Sequence, residues 1–526
     1  MSDLLTEWRG LWELVEQRAA ATPEAPMARD EHGRQLTFAA YRDAALRVAA
    51  GLAARGVGEG TPVSWQLPTW ISSLVLVGAC SRLGAVQNPM LPIYREREIG
   101  FITRQTGARL LIVPGTWRGV DYPALAAAAL APLGRDAPEV LVADPDLPEG
   151  DPATLGPPPP AAATTFRPGE RVEAPWRWVF YTSGTTAEPK GARHTDLTIG
   201  ASAYGMARAL GLRADDRNAL VFPFTHIGGI GWLFAGLMAG CEQVLVEAFV
   251  PEAAIPVLAA ADVTIAGAGT FFHLAYLEAQ RARPDRPLFP SARAFVGGGA
   301  AKPPQLHEQV KRELGGAGVV SGYGLTECPI LSMATPEDPD GKLAHTEGRL
   351  TPGVEVRVVG LDGRDLGPGE EGEIRVQGPQ LFLGYLDATL DAEAFDEQGF
   401  FRTGDLGFLD ADGYVTITGR VKDIIIRKGE NISAKEVEDL LFDHPKVADA
   451  AVIGLPDPAS GERACAVVVP TDPADPPTLE DLFDHLTGRG LMVQKVPEQL
   501  ELVDALPRNP AGKVLKGELQ ARFRAS

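Results

Sequence analysis

Short apolar runs alternate with stretches of helical period along the first three hundred or so residues. ARLLIVP at 108–114, WRWVFY at 176–181, EQVLVEA at 242–248 and ARAFV at 292–296 read as strands. A stretch opening at Thr37 keeps helical spacing until near Gly56. This alternation predicts an α/β class with largely parallel sheets. Near the N-terminus, Trp8, Leu11, Trp12 and Val15 recur at helical spacing among charges, which predicts an amphipathic helix and not a signal peptide.

The uncharged run 218–241 is long enough to raise the question of a membrane span. Pro223 and the glycines 228, 229, 231, 236 and 240 interrupt it, so it predicts a buried strand, a glycine-rich loop and a core helix. DPATLGPPPPAAAT at 151–164 predicts an extended surface loop inside a domain, because it leads into a strand that should be buried.

From about Gly353 the texture changes. GVEVRVVG, GEIRVQG and GYVTITG alternate with period two, and Asp-Gly pairs at 362–363 and 412–413 supply tight turns. A small β-rich subdomain is expected over about 350–419. After Gly419 an α+β unit begins. Ser433 and Glu436 have capping-box spacing ahead of Val437, Leu440 and Leu441. Thr478 opens another helix, with Leu479, Leu482, Phe483 and Leu486 as its apolar stripe. The boundary falls within 419–423, dividing the chain into 1–419 and 420–526.

Composition adds exclusions. The chain has 526 residues, 45% hydrophobic and 22% charged, enough for several cores without staples. Its 49 Lys+Arg against 69 Asp+Glu leave a net charge of −20, which argues against nucleic-acid or anionic-membrane partners. A phosphorylated ligand would have to be held by local geometry. The four cysteines, Cys80, Cys241, Cys328 and Cys465, lack metal-ligand spacing and fit a reduced, cytoplasmic setting.

Four segments carry candidate chemistry. In YTSGTTAEPKG (181–191) a strand runs into Thr182, Ser183, Gly184, Thr185 and Thr186, then Lys190. Small residues let backbone N–H groups approach a polyphosphate, and the lysine adds charge. No Walker pattern is present, and an ordinary Ser/Thr/Gly turn remains the rival reading. In SGYGLTE (321–327), Tyr323 between glycines can stack on a flat base. Thr326 can donate to a phosphate and Glu327 can offer oxygen to Mg²⁺; a strand end with a core tyrosine is the alternative. RTGD (402–405) offers Asp405 to ribose hydroxyls, with Arg420 downstream, or else an ordinary turn. PRNPAGK (507–513) lies on a basic tail, which solvation alone would explain.

Together with GRVKDIIIRKGENIS (419–433), the order of these segments resembles the adenylate-forming superfamily of acyl-CoA synthetases, peptide-synthetase adenylation domains and luciferases. Ala187 departs from the glycine that family's phosphate loop often carries, and alanine is small enough to keep the loop. The resemblance implies an N-terminal AMP-binding domain over 1–419 and a mobile C-terminal lid over 420–526. It implies reaction of a small carboxylic acid with ATP and Mg²⁺ to an acyl-adenylate, then transfer to CoA. The 182–190 loop would hold the β- and γ-phosphates. Tyr323 would stack on adenine against Gly298, Gly299 and Ala300, and Asp405 and Arg420 would hold the ribose. Thr326 would meet the α-phosphate, and Lys513 would be the catalytic ammonium. Lys422 matches the hinge, and Gly429, Glu430 and Asn431 the part that turns toward a pantetheine tunnel. His226, in the FTHIGG segment, would line the acyl site with Gly297 and Gly322, a satisfied core histidine being the other reading. NPMLPIYR at 88–95 is similar to ligases for medium-chain or alicyclic acids, and aryl acids stay open. Two alternatives keep the adenylation step: loading a carrier protein, and activating nitrite to diazotise an aryl amine. A third is a nucleotide-binding scaffold without turnover.

Overall fold

The computed structural model describes residues 4–143, 146–182, 188–299, 302–360, 362–427, 430–457, 461–509 and 512–524. The short apolar runs become strands. Leu110–Val113, Trp176–Thr182, Glu242–Leu245 and Ala294–Gly297 all lie within or overlap the predicted stretches. The helix expected from Thr37 spans Phe38–Ala53, and the Thr37 hydroxyl caps it by accepting from Ala40 N.

Two large sheets form the body. The first has nine strands in the order 349–350, 328–333, 319–325, 294–297, 265–267, 217–220, 242–245, 26–30 and 35–37. From 319–325 through 26–30 neighbouring strands are parallel, and antiparallel strands close both ends. The second has six strands in the order 190–195, 176–182, 86–89, 62–65, 110–113 and 139–142, parallel except for the first pair. One core joins them: Val63 and Trp65 from the six-stranded sheet, Leu245, Ile265 and Val320 from the nine-stranded sheet, and the helices Ile71–Leu83, Asp196–Ala209 and Ile227–Ala239.

Three sequence expectations need correction. Trp8 precedes the first helix, Leu11–Ala21. It is fully buried, its indole N–H donates to Leu5 O, and its ring stacks on Phe166 at 4.7 Å. The ring fills a slot beside the glycine at position 200, so burial and not helical period places it. The glycines 228, 229, 231 and 236 lie inside the helix Ile227–Ala239, not in a loop. Packing explains this: a Cβ on Gly229 would stand 2.6 Å from Phe224 O. In the helix Leu479–Gly488, Leu482 and Leu486 are buried while Leu479 and Phe483 are largely exposed. Half of the expected stripe therefore faces outward.

The segment 151–164 runs over the body as a surface strap. Ala162 N donates to Arg9 O and Phe166 N to Trp8 O. An antiparallel sheet of 355–359, 372–377, 401–409 and 415–420 follows, with turns near Gly363 and Gly413 at positive φ. A 3₁₀ turn, Val421–Asp423, leads into a last sheet of 430–433, 424–427, 461–470 and 447–457, with 499–502 parallel to 461–470. The Ser433 hydroxyl caps the helix Ala434–Leu441 and also donates to Thr418 O across that turn. All four cysteines are buried and unpaired, and among the described residues no helix is long and apolar enough to cross a membrane.

Candidate active site

Tyr323, Thr326, Glu327, Lys190, Asp405 and Arg420 come together where the C-terminal ends of parallel strands meet the small antiparallel sheet, the usual place for ligands in open α/β sheets. The strand Val319–Leu325 delivers Tyr323, and Thr326 and Glu327 form the turn into Cys328–Met333. Alongside, Gly297 pairs with Ser321. Gly298 follows, with Gly322 O only 3.0 Å from where a Cβ would stand. Gly299 has a positive φ of 72°.

Asp405 is the centre of the polar network. It is 2% exposed and faces Arg420 across the 401–409/415–420 ladder. Arg420 Nε lies 2.6 Å from Asp405 Oδ1, and the Tyr323 hydroxyl donates to Oδ2 at 2.6 Å. Thr403 Oγ1 accepts from Asp405 N, fixing the backbone. A carboxylate has about four lone-pair sites, so two remain for ligand hydroxyls. Burial and the neighbouring Asp405 push the Tyr323 phenol well above its ordinary range, so it stays a donor.

Glu327 is 8% exposed, and burial raises its carboxyl above the usual range. The Tyr385 hydroxyl donates to its Oε1 at 2.7 Å, and the Lys190 ammonium opposes the shift from nearby. Lys190 opens the strand Lys190–Thr195, opposite Thr182. Its Nζ stands 5.5 Å from the Tyr385 ring centroid. Four residues on, and so on the same face of the strand, His194 is fully buried. Its Nε2 lies 2.8 Å from Thr326 O and its Nδ1 3.0 Å from Thr198 Oγ1. A carbonyl only accepts, so Nε2 carries the proton. Burial pushes this imidazole down to about 4, leaving it neutral.

The C-terminal unit reaches the same place. Lys513 sits on a short hairpin in which Arg508 bridges to Val514, Asn509 N donates to Lys513 O, and Lys513 N donates to Asn509 Oδ1. Arg508 also pairs with Asp449 at 2.6 Å, anchoring the hairpin to its own sheet. Burial, then Arg420 and Lys422, push the Lys513 ammonium down to about 8, while Asp405 and Asp423 pull the other way. The ammonium thus lies within electrostatic reach of the Asp405–Arg420 pair. Beside it, Gly512 has φ 81°, and a Cβ there would stand 3.1 Å from Phe271 Cβ.

His226 is the N-cap of the helix Ile227–Ala239. Its Nδ1 accepts from Gly228 N at 3.1 Å, and Phe222 meets the ring edge-on at 6.1 Å. Burial pushes it down to about 4. Lys422 is exposed in the 3₁₀ turn. Glu430 and Asn431 open the strand Glu430–Ser433. Ser183, Gly184, Thr185, Thr186, Ala187, Ala300 and Gly429 lie outside the described residues.

Comparison with known proteins decides the family. A model described as AMP-binding enzyme matches residues 15–386, and one described as AMP-binding enzyme C-terminal domain matches 436–513. The chain belongs to the AMP-binding enzyme family. Membership makes it an enzyme of the ATP-dependent acyl-CoA synthetase class. It is 33% identical to a medium-chain fatty-acid–CoA ligase of Escherichia coli K12, over 97% of this chain and 90% of that one. It is 34% identical to a salicyl-AMP ligase/salicyl-S-ArCP synthetase of Mycobacterium tuberculosis, over 93% and 85%. Among solved structures it resembles ATP-bound MatB of Rhodopseudomonas palustris, with TM-score 0.84, 26% identity and coverage of 98% and 99%. For an AMP-binding enzyme, the residues that sequence reasoning missed are His194 and Tyr385. His194 could have been found from strand parity with Lys190. Tyr385 could not, because an antiparallel bridge to Ala192 brings it in from far along the chain.

Proposed function

We propose that this enzyme activates a medium-chain, alicyclic or aryl carboxylic acid as its acyl-adenylate and transfers the acyl group to CoA. The support that carries furthest is the convergence of Lys513, from the C-terminal unit, on the Asp405–Arg420–Tyr323 network of the body. In this reading 1–419 is the nucleotide-binding body and 420–526 a lid.

Each residue then has a task. Asp405 accepts from the ribose hydroxyls while Arg420, 2.6 Å away, holds it in place. Tyr323 packs on adenine against the wall at Gly298 and Gly299, with Ala300 next in line. Lys190 and the loop from Thr182 engage the terminal phosphates. Thr326 faces the α-phosphate, its backbone held by His194. Lys513 bridges substrate carboxylate and α-phosphate, where charge accumulates as the new bond forms and pyrophosphate leaves. A single buried carboxylate beside a threonine and a lysine suits Mg²⁺, a hard cation that takes most of its oxygens from water and phosphates. Glu327 would hold it, and the ion would neutralise phosphate charge. His226, Gly297 and Gly322 border the acyl site.

The second half-reaction requires Lys513 to leave. The only chain between the small antiparallel sheet and the last sheet is the turn at Lys422, and rotation there would bring Gly429, Glu430 and Asn431 toward the thiol's path. Lys422→Pro is expected to spare ATP–pyrophosphate exchange, because proline's φ near −65° fits a 3₁₀ turn, and to block thioester formation by freezing that torsion. Intact rates in both half-reactions would remove the hinge. Likeness to the mycobacterial salicyl-AMP ligase favours a second reading, loading of a carrier protein with an aryl acid. A pyrophosphate-release screen over aliphatic, alicyclic and aryl acids tests both. Under the first reading CoA turns a single burst into sustained release. No stimulation by CoA with any acid that gives a burst would overturn it.

A further inference from the structure

Tyr385 joins two groups that the adenylating reading assigns to different parts of the nucleotide. Its hydroxyl donates to Glu327 Oε1 at 2.7 Å, and the Lys190 ammonium lies 5.5 Å from its ring centroid, within cation–π range. The residue is 3% exposed and its backbone is tied down. Tyr385 bridges to Ala192, Leu383 N donates to Arg193 O at 2.9 Å, and Leu386 N donates to Gly191 O at 2.8 Å. Tyr385 N itself donates to Asp391 Oδ1 at 2.9 Å. The Phe382 ring meets it edge-on at 4.9 Å. The strand that carries Lys190 therefore also registers Tyr385. The Glu327 turn is held to the same segment, because Phe382 N donates to Glu327 O at 2.8 Å. Lysine, aromatic ring and carboxylate form one braced unit.

We propose that Tyr385 is a positioning residue that holds Lys190 and Glu327 in fixed relation, so that the terminal phosphates and the metal ion of one MgATP are met together. The inference rests on the adenylating reading above. With no acid present, binding of the fluorescent analogue mant-ATP can be measured with and without Mg²⁺ and without turnover. Tyr385→Phe keeps the ring and drops the donor. Its metal-free affinity is expected to stay within about twofold of the parent, while the affinity gained on adding Mg²⁺ falls about tenfold, the loss of one hydrogen bond to a charged group. Tyr385→Leu, which also removes the ring, should weaken metal-free binding as well. In pyrophosphate exchange, the Mg²⁺ concentration for half-maximal rate should rise more in Tyr385→Phe than kcat falls. In a Glu327→Gln background the phenylalanine should add little. If Tyr385→Phe does not fold, Tyr385→His, which restores a ring donor, serves instead and should retain more of the Mg²⁺ gain than Tyr385→Leu. Equal Mg²⁺ gain in parent and Tyr385→Phe, equal gain in the histidine and leucine variants, or equal loss with and without metal, overturns the assignment. If the parent binds no mant-ATP at all, the adenylating reading falls and this inference with it. If the parent binds and the phenylalanine variant keeps the full gain, this inference falls alone.

Discussion

Replacing Lys513 by alanine is expected to lower ATP–pyrophosphate exchange by about 10²–10³, the cost of removing one preorganised donor from a developing negative charge. Lysine suits the task because its ammonium is a compact charge on a flexible stem. Near-normal exchange in the variant would take Lys513 out of the mechanism. A pH profile gives a second readout. Burial, Arg420 and Lys422 hold this ammonium at about 8 in the free enzyme. In the proposed mechanism the charged form is the active one, so kcat/KM for ATP should fall as pH rises through about 8, and Lys513→Ala should lack that limb. Bound phosphates and carboxylate favour the charged lysine, so the limb in kcat should lie higher. The same depression has a stability sign. Between about 8 and the ordinary 10.5 the unfolded chain binds the extra proton, so over that window this group makes folding more favourable as pH rises.

Asp405→Ala should be comparably severe. It removes the proposed ribose acceptor and the carboxylate paired with Arg420 at 2.6 Å, leaving Arg420, Lys422 and Lys513 crowded without it. Two charge-assisted hydrogen bonds to the ribose put the expected rise in KM for ATP on the order of 10² or more. Loss of Asp405 also removes a pull that keeps Lys513 charged, so the alkaline limb should move to lower pH. Stability should fall by about 2 kcal/mol, between the values for exposed and buried pairs, because the arginine is partly solvated. Asp405→Asn keeps an acceptor but not the charge and should fall between parent and alanine. An unchanged KM for ATP in the alanine variant would detach Asp405 from the nucleotide.

Much of the fold was legible because periodicity is local. Runs such as 110–113 and 242–245 announce themselves as strands, and Thr37 and Ser433 sit where caps are needed. Period failed where packing overrode it. Trp8 keeps helical spacing yet is placed by Phe166, and the glycines after His226 suggested a loop although close backbone contact makes them acceptable in a helix. Leu479 and Phe483 fit an apolar stripe, but the core beneath takes only Leu482 and Leu486. At the site, Tyr323, Asp405, Arg420 and Lys513 stood out through the resemblance of their motifs, since nothing local says that they meet. Tyr385 carried no such mark. Its partners lie on a strand some two hundred residues earlier and on a separate turn, and only the completed ladder brings the three together.

The hairpin tip at Gly512 offers no side chain to order when the proposed lid docks. In the proposed cycle that tip meets Phe271 and withdraws once per product, and a residue with no side chain has no rotamer to freeze on arrival or recover on departure. What remains to be fixed there is the backbone, held at a φ of 81° that glycine adopts without strain.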